Sequence, residues 1–221
     1  MGLPASVQQL SMSITMLSII LIINLAGGGR EGVAIYNTGW RVVMIAVLPL
    51  LGMATAVTSV TGATFGARAY DKLNTAYMYA AKTGFIIEII LSLIVFILAP
   101  LIAVIFTTTP KGMLIRGDLI MFLQITCLFY PGAAFGIASS AMFQGVGKGT
   151  YALIATLLRT IVLAITLAII FALVFGGGII GIWWALVIAN LLGSGISFAW
   201  GKLYIRKLLK LEKSEIKSVS N

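Results

Sequence analysis

Histidine is absent from the sequence, cysteine occurs once, and only six side chains are acidic. Those scarcities remove most metal-ligand sets, histidine-based triads and carboxylate pairs. Cys127 has no partner for a disulfide within the chain, and its place in an apolar run marks it as a small, inert hydrophobe. Enzyme function is not expected from this inventory. Charge as a whole is sparse, at 10% of 221 residues against 60% hydrophobic, with a mean hydropathy of +1.10. That balance lies far outside the range of a soluble domain.

What is present is six long apolar stretches, approximately Ala5–Ala26, Trp40–Thr64, Thr83–Phe106, Leu119–Phe143, Ala152–Phe175 and Ile179–Trp200. Each reaches the roughly 20 residues, at about 1.5 Å rise, that a helix needs to cross about 30 Å of hydrocarbon. The runs are continuously apolar and do not alternate, which excludes a β-barrel. The fold class is therefore all-α, a polytopic membrane protein with six transmembrane helices. Residues 1–205 are expected to form the membrane lobe and 206–221 a basic cytoplasmic tail. The first stretch lacks a basic n-region and a cleavage site, as expected of a retained helix.

Fifteen Lys and Arg give a formal charge of +9. Counted by side of the membrane, eleven fall with the second and fourth loops and the carboxyl terminus, and four (Arg30, Arg41, Lys111 and Arg116) fall opposite. This positive-inside bias predicts a multi-pass protein of the cell membrane with both termini cytoplasmic. The tail is drawn to anionic lipid headgroups. Nucleic acid is not an expected partner. Gly147-Lys148-Gly149-Thr150 superficially resembles a phosphate loop but lacks the upstream glycine and the hydroxyl directly after the lysine.

Two helices share a pattern. Pro49 and Gly52 lead into Gly62 through Arg68, and Pro131 and Gly132 lead into Gly145 through Gly149. Pro49 and Pro131 each free a backbone carbonyl inside the membrane and permit bending there, whether for packing or to line a cavity. Small residues are dense in the fourth and sixth runs, a pattern that lets backbones approach closely.

Polar groups concentrate in the first run. Gln9, Ser13, Met16, Ile20 and Asn24 share one helical face, and Gln8, Ser11, Thr15 and Ser18 share its neighbour. Such a width cannot face lipid; it faces other helices or a wet cavity, and two stripes exceed what one packing seam requires. Glu88 is the one carboxylate inside a run, on a face with Gly84 and Ser92, so it is expected to point inward. Counted from the cytoplasmic ends of their helices, Glu88 and Arg159 lie at similar depth, about 12 to 14 Å at about 1.5 Å per residue, and are expected to form a structural ion pair.

The ordered set of Gly2-Leu3-Pro4, Leu48-Pro49-Leu50-Leu51-Gly52, Gly66 through Lys72, Phe143 through Gly149 and Leu157-Leu158-Arg159 resembles the carboxyl-terminal half of MATE (multidrug and toxic compound extrusion) exporters, most closely the DinF-like branch. The likeness covers nearly the whole chain. It implies one six-helix lobe of a two-lobed transporter of the MOP superfamily. Such proteins exchange amphipathic, cationic compounds outward against protons or sodium ions by rocking their lobes. This chain would need an amino-terminal lobe or a second copy of itself as partner, besides membrane lipid and a small amphipathic substrate. Some branches place acidic residues in the first and fourth helices of this lobe; the matching places here, around Met12 or Ser13 and Ala133 or Ala134, are not acidic. No cofactor or metal is expected, and the coupling ion is expected to bind in the partner lobe. The expected cavity lining is Gln9, Ser13, Met16, Asn24, Asn37, Ser59, Gln124 and Thr126. Half of a lipid-linked oligosaccharide flippase, a split-gene remnant and a membrane assembly protein remain as alternatives.

Overall fold

The computed structural model describes residues 2–219, without the side chains of residues 2–5, 111, 213 and 215–219. Nine α-helices follow in order among them: α1 (Gly2–Leu25), α2 (Gly29–Gly66), α3 (Tyr70–Phe106), α4 (Pro110–Leu114), α5 (Arg116–Thr126), α6 (Tyr130–Gly145), α7 (Gly149–Leu157), α8 (Ala164–Ile169) and α9 (Gly178–Val219). A 3-10 turn, Cys127–Phe129, joins α5 to α6, and π-helical segments at Leu158–Leu163 and Ile170–Val174 flank α8. The result is six spans: α1, α2, α3, α5 with α6, α7 with α8, and α9.

The helices overrun the apolar runs, because a helix keeps its backbone paired in water as in lipid. Asp71 sits in the first turn of α3, where a carboxylate suits the positive end of the helix dipole. Connections consequently shrink to tight turns. Between α2 and α3 the amide of Ala67 donates to the Ala63 carbonyl and that of Ala69 to Thr64; between α6 and α7 Val146 donates to Met142 and Lys148 to Phe143. The two turns share one hydrogen-bond pattern, with Arg68 (φ 55°) and Gly147 (φ 75°) as the left-handed residue. The sequence repeat is therefore a repeated helix exit. The two helices also touch at their repeat glycines: a Cβ on Gly62 would lie 3.1 Å from the Gly145 carbonyl oxygen, and Thr58 Oγ1 donates to the Ala141 carbonyl at 3.2 Å. Small residues here let two backbones meet.

Two buried clusters fill the lobe. At one end Tyr36 stacks on Trp183 (6.1 Å, 3°), and Phe122 meets Trp183 edge-on at 4.6 Å. At the basic end Phe143, Tyr151, Trp200 and Tyr204 form a ring cluster, and Tyr77 bonds Ser139 at 2.7 Å. No break marks the expected tail at residue 206, because α9 runs on as one helix to Val219. Ser220 and Asn221 lie outside the described residues, as do the side chains of Lys111, Lys213 and Lys217.

Arg116 secures the other end of α3. Its Nε donates to Thr107 Oγ1 at 2.8 Å and an Nη to the Thr107 carbonyl at 3.0 Å, which caps carbonyls the helix leaves open.

Candidate functional site

The two polar stripes of α1 have different fates. Gln8 turns inward, where its amide donates to Thr156 Oγ1 at 3.0 Å and to Ser140 Oγ at 3.5 Å; Ser11 is buried, with its hydroxyl on the Val7 carbonyl. Gln9, Ser13, Met16 and Asn24 lie exposed on the outer surface of the lobe. Ser13 and Asn24 return hydrogen bonds to Gln9 and Ile20 of their own helix, so the outward stripe is polar without being fastened to any neighbour. A stripe of this kind is costly against acyl chains.

A second outward row runs down α2, with Arg41, Ile45, Leu48, Gly52, Thr55, Ser59 and Ala63 all exposed at helical spacing. Ser59 is exposed on this row, and Asn37 and Gln124 are half-buried. Thr126 does not line a surface: it is fully buried, and its hydroxyl donates to the Phe122 carbonyl at 2.7 Å inside its own helix. Arg41 and Thr55 are the members of this row that sequence reading missed. The apolar run begins at Trp40, but α2 begins at Gly29, so Arg41 stands within the helix and not at its start.

Pro131 bends the fourth span at the Cys127–Phe129 turn. A proline removes one intrahelical donor and leaves the carbonyl four residues earlier open. That carbonyl belongs to Cys127, which instead accepts from the Tyr130 amide in the 3-10 turn and from Ser92 Oγ of α3 at 2.8 Å. Pro49 stands within an unbroken α2, and its ring is exposed on the lobe surface.

Glu88 points inward as its spacing requires and is 0% exposed. The expected ion pair with Arg159 does not form: neither carboxylate oxygen of Glu88 has a hydrogen-bond partner among the described residues. The reason is the helix between them. Ala134 of α6 faces Gly84 of α3, while Gly136, two residues and about 200° further round α6, faces the Arg159 guanidinium. The buried hydroxyl of Tyr130 is likewise without a partner. A charge left alone at this depth costs about 2.5 to 3.5 kcal/mol on insertion scales. No cluster of three or more metal-ligating side chains occurs among the described residues.

The MatE family model matches residues 4–170. The chain belongs to the MATE family. Among solved structures it is similar to a MATE protein in complex with MaL6, at TM-score 0.92 and 41% identity over 95% of this chain and 46% of that one. It is similar to an inward-facing multidrug resistance MATE transporter at 0.91 and 42%, over 95% and 47% of the two chains. A third is a MOP superfamily transporter from Pyrococcus furiosus, for which the reverse polarity of its binding pocket suggests a different function; it matches at 0.91 and 42%, over 94% and 46%. No curated protein sequence matches. The chain spans about half the length of the MATE structures it matches. MATE proteins are transporters, and this MATE chain is a membrane protein with six spans.

Proposed function

We propose that the chain is one lobe of a DinF-like MATE exporter, paired in the membrane with an amino-terminal lobe or a second copy of itself. The lobes together move amphipathic, cationic compounds out of the cell by antiport against protons or sodium ions, with the coupling ion held in the partner. The observation that carries this reading is the extent of the match: nearly all of this chain superposes on less than half of each relative. Its likeness is the same, TM-score 0.91, to the inward-facing and the outward-facing transporter. That equality supports a lobe that moves as a unit, with alternation arising between lobes. The outward stripes of α1 and α2 are the surfaces such a companion would cover.

Export is tested in cells lacking drug efflux, expressing this chain alone or together with an amino-terminal MATE lobe, by accumulation of a fluorescent lipophilic cation. Lower accumulation with both lobes, or with this chain alone if two copies suffice, is the expected result. Unchanged accumulation in every arm, with both proteins folded in the membrane, overturns the proposal.

A further inference from the structure

Arg159 lies well inside the fifth span, ten residues into a helical stretch that runs from Gly149 to Val174. Its side chain does not reach back toward the bilayer surface. The stem crosses α9 at Gly193, where an added Cβ would stand 2.5 Å from Cγ, and Nη1 arrives at Gly136 of α6, 2.9 Å from a Cβ placed there. The Ser194 hydroxyl converges on that same point from α9, at 2.6 Å. Ser194 is 1% exposed, and its Oγ has no hydrogen-bond partner. Arg159 makes no ion pair or side-chain hydrogen bond among the described residues, and α6 separates it from Glu88. The backbone is π-helical through Leu158–Leu163, a widening that often marks functional positions.

A chain of hydrogen-bonded side chains runs toward Arg159 from the basic end of the lobe. Gln144 donates to Ser140 Oγ at 3.3 Å, Gln8 bridges Ser140 and Thr156, and Thr156 precedes Arg159 by one helical turn. Lys148 lies in the α6–α7 turn at the same end.

We propose that Arg159 and Ser194, whose donors are brought together against the bare backbone of Gly136, form a binding site inside the lobe for a compact monovalent anion, chloride or a small carboxylate. The guanidinium supplies charge and a planar set of donors, and the serine hydroxyl supplies one more. Lipid phosphate is excluded by the inward course of the side chain through the bundle. Binding is independent of whether the chain exports drugs, so the site stands or falls apart from that reading.

The test uses the full chain purified into lipid nanodiscs, with radiolabelled chloride as probe and formate or gluconate as competitor at constant ionic strength. Saturable chloride binding, competed by formate and not by the bulkier gluconate, is expected. Gly136→Ala keeps the charge and pushes both donors aside, so it is expected to weaken binding at least tenfold. Ser194→Ala removes one donor and is expected to weaken it by roughly three- to tenfold. Arg159→Gln is expected to abolish it, with elution and tryptophan emission checking the fold of each variant. Absence of saturable chloride or formate binding to the folded wild-type chain overturns the site, as does unchanged binding in folded Gly136→Ala and Ser194→Ala.

Discussion

At the scale of single residues, the hydrogen bond from Ser92 to the carbonyl that Pro131 opens shows how a bend is tolerated in lipid. Ser92→Ala removes one of the two donors to that carbonyl, the Tyr130 amide remaining, and is expected to destabilise the lobe by about 0.5 to 1.5 kcal/mol in reversible unfolding in mixed micelles. An unchanged unfolding midpoint would show that another donor takes the place. Ser13 gives the complementary case. Its side chain lies on the outward stripe, so Ser13→Trp is expected to leave folding unchanged while abolishing cation export by the paired lobes, measured as dye accumulation. Several residue positions were legible from spacing alone: Glu88 with Gly84 and Ser92 turns inward, and Gln9, Ser13, Met16 and Asn24 share an open face. The Glu88–Arg159 pair was not legible. Depth along two helices says nothing about a third helix between them, and α6 occupies that place. Thr126 misled for a related reason, since a hydroxyl in a helix is satisfied by its own backbone without any cavity.

Elements were legible in number and type, and less so in their ends. Hydropathy marks where lipid begins, but helices such as α2 and α3 continue past that boundary, because their backbone hydrogen bonds are as serviceable in water as in lipid. The repeat between the second and fourth helices was visible as glycines and prolines; its meaning, a common exit turn and a close backbone crossing, required coordinates. Gly145→Val tests the crossing. A Cβ at Gly145 would stand 2.5 Å from the Thr58 carbonyl oxygen, a backbone atom that cannot swing away, so a loss of about 1 to 3 kcal/mol is expected in the same unfolding assay. Gly66→Val at the repeat-related position of α2, where a Cβ meets nothing within 4 Å, is expected to have little effect. The π segments of the fifth span left no signature in residue pattern, because widening by one residue per turn shifts faces without changing composition.

For the whole molecule, the asymmetry of Lys and Arg sets the orientation expected in a cell. In a Cys127→Ser background, cysteines placed at Lys72 and Lys148, in or beside the two repeated turns, should react with an impermeant maleimide only after the membrane is opened from the cytoplasmic side; one at Arg30 should react from outside. The opposite labelling would invert the topology and with it the direction of export. The central claim is that the outward stripe of α1 meets water and a companion lobe, not acyl chains. Nitroxide labels at Ser13→Cys on that stripe and at Leu93→Cys on an exposed apolar face of α3, in nanodiscs holding this chain with an amino-terminal MATE lobe, measure it directly. The account predicts that a water-soluble nickel reagent relaxes the label at position 13 and that oxygen, which partitions into lipid, relaxes the one at position 93. Oxygen-dominated relaxation at both positions, in a sample where the two lobes are shown to associate, would contradict it.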